Sequence, residues 1–489
     1  MDSTGKRVRS TTADRALPPG VLIVMALTAS LLLLVAARYG WHRDELYFLE
    51  AGRHLAWGYV DQPPFTPLLA RLADTIAPGN LLVLRIAPAL ATAGTVATGS
   101  LFVRELGGDR RRQVLGAVAV AAGAFTLGIG HLLSTATFDL LAWSVVLWLT
   151  ARLLRTGDCR LWPVIGAVAG LALLNKNLIV VLFIALAVGV LLERRWDLLR
   201  TWWLPVGIAL TLAIAAPHLL WQAANGWPQF AMAQALAERI GTENRALLLP
   251  MQVLLLGPLL VPALVRGVRW LATAADGRIF RPLLWAWPVG LVLVLVTGGR
   301  PYYVLPLTVA VALAGIAATG VRRITLALTA AVALPIALPL LPVAAIPVVA
   351  RANASGAESV GWPELADQVT AVVRELPADE RERVILLSAS YGEAGAIDRF
   401  GPDRGLPPAY SPHNAYADFR RPTDPDATVV AIRFARDGRL PQHFAECSQV
   451  ATIDNRLGID NEAQGQPILV CRGLRGTWPE VWEQLRHIS

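Results

Sequence analysis

Apolar runs follow one another through the first two thirds of the chain, broken by short polar connections. The first covers residues 21–37, between Pro18-Pro19-Gly20 and Arg38. It is close to the roughly 17–25 residues a helix needs to cross the hydrocarbon core. Further runs lie near residues 81–103, 114–130, 139–154, 161–174, 178–192, 202–220, 247–265, 282–297, 302–319 and 324–347. The pattern predicts a polytopic α-helical membrane protein of about eleven spans. The first run is too long for a cleaved leader and no small-residue cleavage site follows it, so it is expected to stay as the first helix. Pro335, Pro339, Pro342 and Pro347 thread the last run, whose helix should kink or end early.

From residue 351 the pattern changes. Charge density becomes ordinary, Gly/Pro turns recur, and short β-branched runs cover residues 384–387, 428–432 and 467–470. Helical periodicity returns at 362–376 and 478–485. This predicts a small α/β domain. The chain thus divides into a tail (1–20), a membrane domain (21–350) with a long first connection at 38–80, and the α/β domain (351–489).

Charge orients this scheme. Only 16% of residues are charged against 55% hydrophobic, and the formal net charge is +8. The arginines are not spread evenly. Lys6-Arg7-Val8-Arg9 and the connections at 104–112, 152–160, 194–195, 266–281 and 322–323 carry most of those flanking the spans. With a cytoplasmic N-terminus, all six fall on the cytoplasmic side. The first connection, the segment 221–246 and the α/β domain then lie outside. No basic stripe interleaved with aromatics is present, so nucleic acid is not an expected partner; the lipid bilayer is. Cys447 and Cys471 share the exported domain, where an oxidising compartment favours a disulfide; two separate buried thiols are the other reading. No CxxC or similar metal spacing occurs.

Charge near a membrane is costly and points to function. The first connection opens Trp41-His42-Arg43-Asp44-Glu45 and continues Gly58-Tyr59-Val60-Asp61-Gln62-Pro63-Pro64. Asp44 can cap a short helix running to Trp57, with Glu45 at the positive end of its dipole, and the pair can carry chemistry; the two readings are compatible. The double proline either holds Asp61 in place or only joins two helices. Asp139 follows cap-like Ser134 and Thr135 at the mouth of the fourth span. Lys176 interrupts an apolar hairpin, and Gly298-Gly299-Arg300-Pro301-Tyr302-Tyr303 forms a further polar turn. Each cation could be an interfacial anchor or a phosphate ligand. Together, Asp44, Glu45, Asp61 and Asp139 with Arg43, Arg53, Lys176 and Arg300 converge on one side of the membrane. Acids that take a proton from an acceptor, beside cations that hold a phosphate, suit group transfer from a lipid-linked phosphate donor.

In these residues the chain resembles the GT-C glycosyltransferases, and among them the dolichyl-phosphate-mannose protein mannosyltransferases and bacterial relatives that include the lipid A aminoarabinose transferases. Asp44-Glu45 resembles the family's acids of the first outer loop, Asp61-Gln62-Pro63-Pro64 its Glu-Lys-Pro-Pro stretch, and Asp139 the acid of the second outer loop. Gln62 stands where the aminoarabinose transferases carry a lysine. The segments Tyr391-Gly392-Glu393-Ala394-Gly395 and Asn414-Ala415-Tyr416 resemble the C-terminal domain of many bacterial members.

The resemblance implies a multi-pass protein of the bacterial plasma membrane. It implies an inverting transfer from a polyprenyl-phosphate sugar to a protein, lipid or cell-wall glycan acceptor. Asp44 and Glu45 would be catalytic. His42, Tyr59, Asp61 and Asp139 would position acceptor or sugar. Arg53, Lys176, Arg300, Tyr302 and Tyr303 would hold the donor phosphate. A divalent ion on the carboxylates stays open, with no dedicated cage. A transporter and a non-enzymatic envelope assembly factor are the alternatives.

Overall fold

A computed structural model describes residues 16–349, 354–435 and 438–489. The basic tail at Lys6 to Arg9 lies outside the described residues. The membrane domain runs α1 (Pro19–Leu34), α2 (Arg43–Arg53), α3 (Phe65–Ile76), α4 (Leu81–Glu105), α5 (Arg110–Ala121), α6 (Ala124–Gly130), α7 (Thr135–Thr156), α8 (Leu161–Leu173), α9 (Ile179–Leu192), α10 (Trp196–Leu199), α11 (Trp203–Ala224), α12 (Pro228–Leu256), α13 (Val261–Thr273), α14 (Arg281–Thr297), α15 (Leu305–Thr319) and α16 (Arg323–Ala337). Among the described residues, five helices are long and apolar enough to cross a membrane. Two bent pairs, α5 with α6 at 62° and α12 with the helix after Gly257 at 82°, raise this to seven. Four shorter apolar helices, α1, α8, α9 and α16, stand at the other expected places. The protein is a multi-pass membrane protein. The last apolar helix ends at Ala337, just past Pro335, as its prolines predict. Residues 221–246, read as a polar loop, are mostly helix: α12 already begins at Pro228.

The helices meet through small residues, which let backbones approach closely. A Cβ on Gly267 of α13 would lie 1.8 Å from the Val311 carbonyl oxygen, and one on Gly315 of α15 would lie 1.9 Å from that of Ala263. Arginine-bearing connections gather at one end of the bundle. There Arg155 pairs with Glu105 at 2.6 Å, Arg112 donates to the Ala317 carbonyl, and Arg266 donates to that of Gly320.

After α17 (Ile346–Val349) the chain forms the α/β domain at the other end. Its elements are α18 (Trp362–Glu375), α19 (Ala378–Glu382), β1 (Ile385–Ser388), α20 (Tyr391–Phe400), β2 (Ala409–Tyr410), α21 (Tyr416–Phe419), β3 (Val429–Ile432), β4 (Phe444–Thr452), β5 (Pro467–Leu474) and α22 (Trp478–Leu485). The strand order is β2-β1-β3-β5-β4. β2, β1 and β3 are parallel, while β5 runs antiparallel to β3 and to the edge strand β4. Cys447 and Cys471 face each other across β4 and β5 and are joined by a disulfide.

Alternation along the inner strands sorts side chains to two faces. Ile385, Leu387, Val429 and Leu469 pack against Trp478 and Trp482 of α22. Leu386, Val430, Ile432 and Ile468 belong to a core shared with Leu365 and Val369 of α18 and with Leu46, Phe48 and Leu49 of α2. The domain's core is therefore continuous with the first connection of the membrane domain. Helix α20 crosses α2 at glycines: a Cβ on Gly395 would lie 2.9 Å from Leu46 Cβ, and one on Gly392 would lie 3.2 Å from Arg43 Cβ.

Gly395→Leu should overpack this crossing at a cost of about 1–3 kcal/mol. Hydrogen exchange across residues 43–53 should quicken and thermal unfolding in detergent should begin at lower temperature. Unchanged exchange there would contradict the close packing of α20 on α2.

Candidate active site

The site lies where the first connection, the helix tips at the domain-bearing end and the α/β domain meet. Its frame is a buried ion pair. Glu45 is fully buried and receives Arg85 twice, from Nε at 2.9 Å and Nη2 at 2.6 Å. It also accepts from the Leu133 amide at 2.9 Å and the His42 amide at 2.9 Å. Burial opposes the charge, but Arg85 and these hydrogen bonds hold the carboxyl below the usual glutamate range. Arg85, on α4, donates further to the carbonyls of Ala36 and Gly40. Glu45, expected in the catalytic pair, is thus a structural anchor with both oxygens taken.

His42, expected to position a sugar, is the N-cap of α2: its Nδ1 accepts from the Asp44 amide at 3.2 Å, and Glu45 closes the capping box. Asp44 is therefore not the cap, and α2 ends at Arg53 rather than Trp57. The Asp44 side chain is 40% exposed. Tyr391 of α20 donates to Asp44 Oδ1 at 2.9 Å, while Arg43 Nη2 donates to the same hydroxyl at 3.1 Å. Asp44 Oδ2 lies 3.8 Å from His42 Nδ1.

Asp61 stands beside this group. It accepts from Tyr47 Oη at 2.8 Å and from Asn414 Nδ2 at 3.2 Å. Burial pushes its carboxyl up to about 6; the two hydrogen bonds hold it back and the neighbouring Asp44 charge adds to the rise. Tyr59, also expected near the sugar, instead fastens the end of α2: its hydroxyl donates to the Ala51 carbonyl at 2.9 Å and accepts from the Ala56 amide at 3.2 Å.

Asp139 is buried in the first turns of α7, and its Oδ1 has no hydrogen-bond partner among the described residues. Ser134 caps that helix, so Asp139 is free of the capping role. Lys176, at the tip between α8 and α9, sits 4.8 Å from the Tyr303 ring centroid and 5.2 Å from that of Tyr302, with Nζ 3.5 Å from Tyr302 Oη. Burial works against its charge, yet Tyr302, Tyr303 and Asp139 hold its pKa above the ordinary lysine value. Arg300 makes no side-chain hydrogen bond or ion pair among the described residues, and it is within electrostatic reach of Tyr302, Tyr303, Asp44 and Tyr391.

Arg53 does not join these cations. It ends α2, about 14 Å along the helix from Asp44, and pairs with buried Glu50 at 3.1 Å. Glu50 also holds His54 and Arg420, and Arg53 lines a separate cleft with Asp398 and Arg420. Among the described residues, no three His, Cys, Asp or Glu converge as metal ligands.

The sequence reading missed Arg85, Tyr47, Tyr391 and Asn414. Arg85 stands inside an apolar run, a signal that a charge at membrane level offers. Tyr391 and Asn414 stood out only as parts of segments that resemble bacterial family members, with nothing to tie them to the acids, and Tyr47 carried no signal of its own.

The chain is similar to known proteins in sequence and in fold. The family model for dolichyl-phosphate-mannose-protein mannosyltransferase matches residues 61–221, which include Asp61, Asp139 and Lys176. The crystal structure of ArnT from Cupriavidus metallidurans bound to undecaprenyl phosphate superposes with a TM-score of 0.60 at 16% identity, covering 92% of this chain and 98% of ArnT. Over most of its length the chain shares its fold with ArnT. The apo ArnT structure from the same organism matches this chain at a TM-score of 0.53 and 15% identity, over 92% of this chain and 97% of the other. No curated protein matches the sequence.

Removing one partner of the Glu45–Arg85 pair leaves a buried charge. Glu45→Ala should cost about 3–5 kcal/mol, and the Glu45→Leu/Arg85→Met double variant should recover part of that loss. Thermal inactivation in lipid nanodiscs measures both. Equal stability of Glu45→Ala and wild type would overturn the anchoring role.

Proposed function

We propose that this protein is a glycosyltransferase that moves a sugar from a polyprenyl-phosphate donor to an envelope acceptor on the outer face of the membrane, with inversion. The observation that carries the reading is the sharing of one site by a held acid and unneutralised cations. Asp44 and Arg300 lie within electrostatic reach, and Lys176 lies over tyrosine rings with no carboxylate in ion-pair range among the described residues. ArnT, with the same fold, is bound to undecaprenyl phosphate in its crystal structure.

In this reading Asp44 Oδ2 takes the proton of an acceptor hydroxyl or amine. The freed lone pair attacks the anomeric carbon while the bond to the phosphate oxygen breaks. One in-line displacement inverts the centre. Lys176 and Arg300 hold the leaving polyprenyl phosphate, with Tyr302 and Tyr303 lining its site, so the departing oxygen needs no separate acid. Asp61 and Asp139 orient sugar or acceptor. The α/β domain and the site lie on the outer side, in keeping with the arginine-rich connections at the opposite end.

Purified protein in lipid should transfer or slowly hydrolyse sugar from a panel of polyprenyl-phosphate donors. Asp44→Asn should lower turnover at least ~10²-fold while inserting normally. Lys176→Met should raise the donor KM. No turnover with any donor, together with wild-type behaviour of Asp44→Asn in cells, would replace this reading with a transporter or scaffold.

A further inference from the structure

The two acids that face the site are held by the α/β domain as much as by the membrane domain. Tyr47 of α2 and Tyr391 of α20 stack with ring centroids 4.7 Å apart. Each gives its hydroxyl to a different carboxylate: Tyr47 to Asp61 and Tyr391 to Asp44. The stack continues through His413, 4.8 Å from Tyr391, and His487, 4.5 Å from His413. His413 is itself buried and tied to Ser489 Oγ at 2.7 Å.

Hydrogen-bond direction is fixed at both acids. An arginine can only donate, so the Tyr391 hydroxyl accepts from Arg43 and its own proton goes to Asp44. Asn414 adopts a left-handed φ of 50°, which asparagine tolerates better than most residues. The Ser489 amide donates to Asn414 Oδ1 at 3.1 Å, which turns the NH2 group toward Asp61. Separate ion pairs dock the domain: Arg43 with Glu462 and Glu358, and Arg420 with Glu50.

We propose that the α/β domain is a working part of the active site, with Tyr391 and Asn414 as positioning residues that aim Asp44 and Asp61 through the stacked ring pair. The inference rests on the glycosyl-transfer reading for its kinetic consequence but not for its geometry. Tyr391 leaves Asp44 Oδ2 as the oxygen open to an acceptor. Asn414 and Tyr47 favour the charged form of Asp61 against burial and against the Asp44 charge beside it.

The test uses the full chain in nanodiscs. Tyr391→Phe keeps the ring stack and removes only the hydroxyl, and it should unfold at the wild-type temperature. Asn414→Ala removes the amide and should unfold somewhat lower, because alanine is strained at a left-handed φ. Tyr391→Phe should lower kcat about tenfold with donor KM within about twofold, and Asn414→Ala should move the acid limb of the pH–rate profile upward by about half a unit or more.

Carboxyl 13C NMR of Asp-labelled protein reads the same contacts without turnover, with Asp44→Asn and Asp61→Asn as assignments. The Asp61 midpoint should rise in Asn414→Ala, and the Asp44 resonance should move in Tyr391→Phe. An Asp61 midpoint that stays put in Asn414→Ala, or an Asp44 resonance unmoved by Tyr391→Phe, would overturn the corresponding role whatever the kinetics. If the wild type turns over no donor but both resonances respond, the transfer reading fails and the positioning stands.

Discussion

The pairing of Glu45 with Arg85 is the constraint on which the site depends. Two opposite charges buried together are held by the cost of separating them, since either one alone would be stranded in a low-dielectric place. Arg85 spends its remaining donors on the carbonyls of Ala36 and Gly40, and Glu45 accepts from the Leu133 amide. One ion pair thus ties the end of α1, the start of α2, the helix α4 and the link before α7. Successive helical residues point about 100° apart. With Glu45 locked inward, Asp44 must project from the side of α2, where α20 meets it. The tandem acids divide the work: one builds the frame and the other is aimed by it.

The cations across the site are arranged on the opposite principle. Elsewhere at this end arginines are matched with acids, as Arg420 is with Glu50 and Asp398 and Arg433 is with Glu393 and Glu462. Lys176 has tyrosine rings and a distant electrostatic partner in Asp139. Aromatic faces attract a cation without neutralising it, so the charge of Lys176 is not cancelled there. Asp139, with an oxygen lacking a partner, is incomplete in the same sense.

Much of the helical architecture was legible because burial in lipid demands long apolar runs, and prolines marked the end of α16. The inner strands were legible for a similar reason: residues 428–432 and 467–470 are buried on both faces and so are continuously apolar. β4 was not, because it is an edge strand with mostly exposed side chains and carries no such run. Asp44, Asp61, Asp139, Lys176 and Arg300 stood out in the sequence as charges beside apolar runs. Their neighbours were misjudged where only proximity in sequence was available. His42 and Tyr59 turned out to be fasteners of α2. Arg53 shares a side of the membrane with Lys176 but stands at the far end of an eleven-residue helix. Tyr391 and Asn414 lie roughly 350 residues from the acids they touch, and no local pattern reports such a contact.

That distance bears on what the α/β domain is for. A domain that only recognised an acceptor could sit on a flexible linker and dock through a polar, adjustable surface. This one shares an apolar core with α2, crosses it through Gly392 and Gly395, and gives one hydrogen bond to each acid. Carboxylates on a short helix at a membrane surface have several rotamers open to them, and a general base works only in a narrow range of placements. A rigid hydroxyl and a rigid amide brought from a folded sheet narrow that choice without adding charge. The added charge would itself be a liability, since the Asp44 charge already weighs against ionising Asp61. Neutral donors from a second domain let two acids stand side by side and still be pointed independently.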